Sequence, residues 1–390
     1  MLQSCVTRLR QQWPGAEMMI ISSDPQNLQA YCPGTRAVGR ASGAAFERLL
    51  PPRCRTLWQG IAPYGAGRIG RGGPVRPQPR TALQAVRAAD LVVAAGGGYL
   101  TDVFWWQATG VLSLLSLAQR LGRPTAMFGQ GIGPVTQRGL RVQARAVLRR
   151  LLVLGVREGI GSRELALSFG AKAASLMVTG DDALELAPDG AAADGHALGV
   201  NLRVSGYSGV DARTAREIGA VAQAAAARLR APIVALPVSR YQPEADLGTI
   251  RGMLRPARDG DVILSDLVTP QDLLSATASC RAVVTGSYHA AVFALAQGVP
   301  AVCLAASSYY HGKFAGLAGQ FGDACLVVPA GPPGLPARLG SAVERAWQLP
   351  AASRAGATAT ALRLRDAGRD AYRAFRQAAE VPGRVQPPPA

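Results

Sequence analysis

Lysine is nearly missing from this chain of 390 residues: Lys172 and Lys313 are the only two among 42 basic residues, the rest being arginine. Acidic residues are scarce as well, 25 against those 42, which leaves a net charge of +17. Such a skew, in a chain rich in alanine and glycine, follows from GC-rich coding, so arginine serves largely as the default solubilising residue. What survives of the charge argument is a positive field that favours anionic small molecules, phospholipid headgroups or nucleic acid. Aromatic residues make up only 6%, and there is neither a zinc-finger spacing nor an RNA-binding aromatic signature, so no nucleic-acid partner is expected.

Cysteine pairs and metal-ligand clusters are also lacking. The six cysteines (Cys5, Cys32, Cys54, Cys280, Cys303, Cys325) include no C-x-x-C, and several stand in apolar runs, so buried reduced thiols are expected. The three histidines, His196, His289 and His311, form no H-x-x-x-H or mixed Cys/His pattern, and no metal site is expected. The longest apolar stretches, such as residues 111–118, are too short to span a bilayer, and the N-terminus has no basic-then-apolar leader pattern. The expected location is cytoplasmic.

What the chain does have is core material. Apolar residues make up 48%, which excludes whole-chain disorder, and the length suits two to three domains. Short apolar runs alternate with helical patterns throughout, the signature of parallel sheets covered on both faces. Strands are expected at residues 17–22, 56–58, 91–95, 125–128, 153–156 and 175–178, then at 199–202, 233–237, 262–264, 282–285, 301–304 and 324–328. Leu2, Cys5, Val6 and Leu9 make a helical stripe, so the printed sequence opens in a helix. The turn-rich stretch 187–197 divides an N-terminal lobe (1–190) from a C-terminal lobe (197–350), with a cleft between them. A helix over 351–379, arginine-rich on one face, and a disordered tail over 380–390 follow. Residues 60–80, with six glycines, four prolines, four arginines and no acid, are expected to form a mobile cationic loop.

In doubly wound sheets ligands bind at the carboxyl ends of strands, so the strand-to-helix turns are the candidates. Gly96-Gly97-Gly98-Tyr99-Leu100-Thr101-Asp102 reads as such a turn: its glycines let backbone approach a ligand and its helix start favours an anion, or else Thr101 or Asp102 simply caps a helix. Gly129-Gln130-Gly131-Ile132-Gly133 repeats the device but matches neither nucleotide-binding fingerprint. Arg157 and Arg203 each end an apolar strand, where a guanidinium can hold a carboxylate or phosphate. Ser287-Tyr288-His289 opens a strongly apolar helix, and His289 is the only histidine at such a turn, able to serve as acid or base near neutral pH. Lys313 stands out where arginine is the rule, marking a place for a compact point charge. Asp181 and Asp182 suit a hydroxyl or a turn cap. Glu244 and Asp246 lie where a carboxylate can take a proton from an acceptor hydroxyl, or act as ordinary helix-start acids. Asp259-Gly260-Asp261 reads as a plain turn.

Together the segments GGGYLTD (96–102), FGQGIGPV (128–135), VRE with SRELALSFGA (156–171), VTGDDALEL (178–186), GVNLRVS (199–205) and SYHAAVFALAQGVPAV (287–302) resemble the polysaccharide pyruvyl transferase family. The resemblance implies two Rossmann-like lobes with parallel sheets in a GT-B-like arrangement. It also implies transfer of the enolpyruvyl unit of phosphoenolpyruvate onto two sugar hydroxyls as a cyclic ketal. Phosphoenolpyruvate is then a donor substrate, with no further cofactor. The acceptor would be a glycan or lipid-linked glycan of the cell envelope, with peripheral contact at an anionic inner-membrane face. The family's arginine falls on Arg157, its histidine on His289 and its downstream lysine on Lys313. Its acidic pair falls near Glu244 and Asp246. Arg203, Gly97, Gly98, Gln130, Ser287 and Tyr288 complete the expected substrate-binding set. The family's N-terminal strand and Gly-Asn-x-Gly-Asp turn are not in the printed sequence, which opens in the helix that follows them.

Two other readings fit the same pattern. One is a GT-B glycosyltransferase with a nucleotide-sugar donor, since fold does not fix function. The other is a non-catalytic subunit of a glycan assembly complex.

Overall fold

The computed structural model describes residues 1–22, 28–39, 79–192, 194–239, 245–254, 269–331 and 333–381. In chain order the first described elements are α1 (Leu2–Gln12), β1 (Met19–Ser22), α2 (Leu28–Tyr31), β2 (Arg36–Gly39) and α3 (Pro79–Ala88). They are followed by β3 (Val92–Ala94), β4 (Gly97–Leu100), α4 (Trp105–Arg120), β5 (Thr125–Ile132), α5 (Arg138–Leu148), β6 (Val153–Val156), α6 (Ser162–Ser168) and β7 (Leu176–Val178). Strands β3, β5, β6 and β7 lie side by side in that order, β4 also pairs with β5, and all run parallel. A separate parallel pair is formed by β1 and β2.

The second five-stranded parallel sheet is built from β8 (Ala197–Asn201), β9 (Ile233–Ala235), β10 (Cys280–Thr285), β11 (Ala301–Ala305) and β12 (Cys325–Pro329), in the order β12-β11-β10-β8-β9. Its helices are α7 (Ala212–Arg228), α8 (Asp246–Met253), α9 (Pro270–Ala278), α10 (Tyr288–Ala296), α11 (Ser308–Phe321) and α12 (Leu335–Trp347). Local chemistry sets their starts. Asp211 caps α7 by accepting from Thr214 N at 2.7 Å, and Thr269 with Asp272 forms a reciprocal capping box at α9, where Pro270 takes the first turn.

Each sheet is packed on both faces, which is why its strands read as continuous apolar runs; β5, β6, β8 and β11 are buried along their whole length. The helix α13 (Ala351–Ala379) ties the halves together. Ala357 and Ala361 pack in the cluster around α10, while Tyr372 and Phe375 pack in the cluster around Phe128 of β5. No helix among the described residues is long and apolar enough to cross a membrane. The described cysteines Cys5, Cys32, Cys280, Cys303 and Cys325 are free and buried, as expected.

Two expectations need correction. The triple-glycine segment is not a helix start: residues 97–100 form β4, paired with β5 through Gly97 and Leu100, and the helical turn begins only at Asp102. Likewise β5 continues through Gly129-Gln130-Gly131 to Ile132 instead of turning after Phe128. In both cases pairing with a neighbouring strand overrode the turn propensity of glycine. The expected strands at 56–58 and 262–264, the Asp259–Asp261 turn and the tail beyond Val381 lie outside the described residues, as does the 60–80 loop apart from Pro79 and Arg80, which open α3.

Candidate active site at the lobe junction

Arg157 follows directly on β6, its backbone N–H extending the ladder to Gln130 O at 2.9 Å. The side chain is only 1% exposed, and a buried guanidinium must find compensating partners. Its Nε donates to Gly129 O at 3.0 Å and lies 2.8 Å from Asp181 Oδ2, its Nη2 contacts Met1 Sδ, and the group sits 5.0 Å from the centre of the Tyr288 ring. Asp181 is held from below, since its Oδ1 accepts from Ala183 N at 2.7 Å as the cap of a short helical turn. Burial alone would raise the Asp181 pKa; the Arg157 guanidinium, aided by His289, outweighs it and holds the carboxyl below its ordinary range.

His289 reaches the same carboxylate from the other lobe. Every residue of α10 is buried except His289, whose side chain remains 31% exposed. Its Nε2 lies 3.8 Å from Asp181 Oδ2. Despite that exposure, burial lowers its pKa to about 4, with Arg157 adding to the effect and Asp181 opposing it. At neutral pH the ring is therefore an uncharged imidazole beside a carboxylate.

Lys313 enters from the second turn of α11. Its Nζ donates to Tyr309 OH and lies 5.9 Å from the centre of the Tyr288 ring. Tyr309 OH in turn donates to Gly98 O at 3.0 Å, and a Cβ on Gly98 would collide with the lysine Nζ, so this close approach needs glycine. Burial first, then the neighbouring Arg157, lowers the Lys313 pKa to about 7, while Glu158 works the other way. Glu158, itself buried, accepts from Ser162 Oγ and from Tyr288 OH at 3.4 Å, and burial raises its pKa. Across the junction Gln320 Nε2 donates to Arg157 O at 2.6 Å. Arg157 and Glu158 thus meet Tyr288, His289, Lys313 and Gln320 at the carboxyl edges of the two sheets.

The other expected residues are placed differently. Gln130 is fully buried and its Nε2 donates to Ala95 O and Phe128 O, both at 2.9 Å, so it clamps the sheet. Gly97 lies within β4, beneath the Tyr99 ring. Ser287 precedes α10, with its N–H donating to Thr285 Oγ1 at 2.8 Å. Arg203 and Asp246 pair with each other, Nε to Oδ1 at 2.6 Å. Asp246 Oδ2 also accepts from Asn201 Nδ2, Val238 N and Ser239 N, each at 2.9 Å. With 0% exposure and donors from four residues on its two oxygens, Arg203 donating twice, this carboxylate is arranged to hold Arg203, Asn201 and two backbone amides, not to receive a substrate proton. Among the described residues no hydrogen bond or ion pair joins it to His289. Glu244 lies outside the described residues.

Sequence reasoning treated Asp181 only as a hydroxyl ligand or cap and passed over Glu158 and Tyr309. The adjacency of Glu158 to Arg157 and of Tyr309 to Lys313 was the available signal.

Two parallel-sheet lobes with a polar group at their shared edge define a GT-B-like architecture. Solved structures agree: a Listeria monocytogenes protein assigned as a UDP-N-acetylglucosamine 2-epimerase superposes with TM-score 0.58 at 10% identity, covering 92% of this chain and 86% of that one. A UDP-glucosyltransferase from Polygonum tinctorium gives 0.54 at 12% identity over 97% and 96% of the two chains. CalG4, the calicheamicin glycosyltransferase, gives 0.51 at 16% identity over 98% and 94%. At such identities the likeness is one of fold. No curated protein matches the chain. The family model for polysaccharide pyruvyl transferase matches residues 1–308, and the chain belongs to that family. The match takes in Arg157, Asp181 and His289 and ends before Lys313.

Proposed function

We propose that this chain moves a pyruvyl group from phosphoenolpyruvate to two hydroxyls of one sugar, closing a cyclic ketal on a cell-surface polysaccharide or its lipid-linked precursor. The observation that carries the reading is the approach of Arg157 and His289 to one Asp181 oxygen, at 2.8 and 3.8 Å, in the family's own matched segment. The donor carries a carboxylate and a phosphate, and Arg157 and Lys313 are the cations that would hold them. Lobes 1–190 and 197–350 would each supply one of these cations. The reading includes a cytoplasmic location and peripheral contact with anionic lipid, supported by the net charge of +17.

The neutral state of His289 suggests an order of events. The imidazole takes the proton of the first attacking hydroxyl as its oxygen bonds to C2 of the donor. In the same step the imidazolium hands that proton to the methylene carbon, which becomes the ketal methyl group and leaves C2 electrophilic as the hydroxyl oxygen reaches it. The C2–O bond to phosphate then breaks, the departing charge being met by Arg157 and protonated Lys313. The second hydroxyl attacks C2 and its proton leaves with the phosphate, so protons balance. Asp181 orients the imidazole and steadies its charged form, as a carboxylate behind a catalytic histidine does.

The test is phosphate release from phosphoenolpyruvate against free and lipid-linked glycosides. His289→Ala and His289→Gln are expected to lose about 100-fold or more of the turnover with an unchanged circular dichroism spectrum. Wild-type turnover in a folded His289→Ala protein defeats the assigned role. Thermal stabilisation by UDP-sugars but not by phosphoenolpyruvate defeats the donor.

A further inference from the structure

Aromatic residues are only 6% of the sequence, yet several gather where the lobes meet. Trp106, in the first turn of α4, is 49% exposed. It meets Phe104 edge to face at 5.6 Å between centroids. Phe104 crosses the junction to contact Tyr207 at 5.4 Å and Tyr309 at 5.9 Å, again edge to face. Tyr207 stacks on Tyr310 at 6.4 Å with planes 17° apart, and its hydroxyl accepts from Arg203 Nη1 at 2.8 Å. A continuous aromatic path therefore runs from a half-exposed indole through Phe104 to Tyr309, whose hydroxyl takes the Lys313 ammonium.

We infer that Trp106, Phe104 and Tyr207 form the acceptor subsite, a platform for one hexopyranose ring beside the Lys313–Tyr309 pair. This rests on the sugar-acceptor half of the proposed function. A pyranose carries a patch of C–H groups on its face and hydroxyls around its rim. Electron-rich aromatic faces meet the first, and a polar edge meets the second. The junction provides both, with the indole open to solvent and the Tyr207 hydroxyl and Arg203 guanidinium at the rim; Arg203 is held in place by Asp246. Because Phe104 and Trp106 come from one lobe and Tyr207 from the other, a bound ring would be gripped across the cleft. A nucleobase could also stack on such rings, but the polar partners here are one tyrosine hydroxyl and one guanidinium, a rim suited to hydroxyls.

Saturation-transfer NMR on the full chain with the methyl glycosides of glucose, galactose and mannose tests the inference. Transfer to the ring C–H protons of at least one hexoside is expected. It should be roughly fivefold weaker in Trp106→Ala and Tyr207→Ala and largely kept in Trp106→Phe. The shift in melting temperature caused by phosphoenolpyruvate should be the same in all three variants. Three outcomes overturn the platform: unchanged transfer in both alanine variants, no transfer to any hexoside, or displacement of a bound hexoside by uridine alone. Hexoside binding that depends on Trp106, found together with no phosphoenolpyruvate turnover, would sink the transfer reaction and leave the platform standing.

Discussion

Arg157 and Arg203 lie one in each lobe, each at the carboxyl edge of a parallel sheet and each paired with a carboxylate. Their surroundings differ. Asp246, beside Arg203, takes donors from four residues on its two oxygens and has no exposure, so its pair is closed. Asp181, beside Arg157, has Oδ1 fixed by a backbone amide, while Oδ2 faces Arg157 and His289 and takes no aligned hydrogen bond. The Arg157 Nε–H is aimed at Gly129 O, so its attraction to Asp181 is ionic. An arginine–carboxylate pair at the carboxyl edge of a sheet is thus a structural clamp in one lobe and an incompletely satisfied group in the other. Unspent bonding capacity at the second is what a substrate can use.

Exchanging the carboxylates is the strongest way to break this comparison. Asp246→Asn should destabilise the protein by about 3 kcal/mol, because it leaves Arg203 and two amide donors facing an amide. The fraction that remains folded should turn over normally; normal stability with lost turnover would instead mark Asp246 as the base. Asp181→Asn should lower kcat by about tenfold, the effect of one unit of proton affinity at His289, and should also lower the melting temperature, because it leaves the buried Arg157 guanidinium without its carboxylate.

A pH series sharpens the comparison further. Lys313, lowered from 10.5 to about 7, loses its charge as pH rises through about 7. Donor affinity should therefore be greatest below about pH 7 and fall about tenfold per unit above it, and Lys313→Arg should flatten the profile. Stability runs in the opposite direction. The folded state binds this proton less tightly than the unfolded chain, so the contribution is present above pH 10.5 and is lost as pH falls through about 7. Isothermal titration with phosphoenolpyruvate and thermal melts over the same range separate the two. The smallest effect is expected from Gly98→Ala. The new methyl would push the ammonium away from Tyr309, weakening the donor KM by about fivefold, roughly 1 kcal/mol, with little change in melting temperature.

Much of the fold was legible because parallel strands buried on both faces must be apolar along their length. The runs at 153–156 and 301–304 reappear as Val153–Val156 and Ala301–Ala305, and the helix expected over 351–379 spans Ala351–Ala379. Strand β4 was not legible, because three successive glycines carry turn propensity and only the neighbouring β5 makes them a strand. At the site, Arg157, His289 and Lys313 could be singled out from their positions at element ends and from the rarity of histidine and lysine. The separate fates of Asp181 and Asp246 could not, since both read as acids near a strand end.

Local order therefore came from the chain itself: apolar runs fix which segments enter a sheet, and capping and strand-end residues fix which side chains reach its edge. Which carboxylate is spent and which is left facing a histidine depends on partners distant in sequence, such as Asn201 for Asp246 and Arg157 for Asp181. So does the approach of Tyr309 to Gly98 across the junction. Hydrogen bonds and ion pairs act over a few ångströms, and only the packing of one lobe against the other brings those groups within that range.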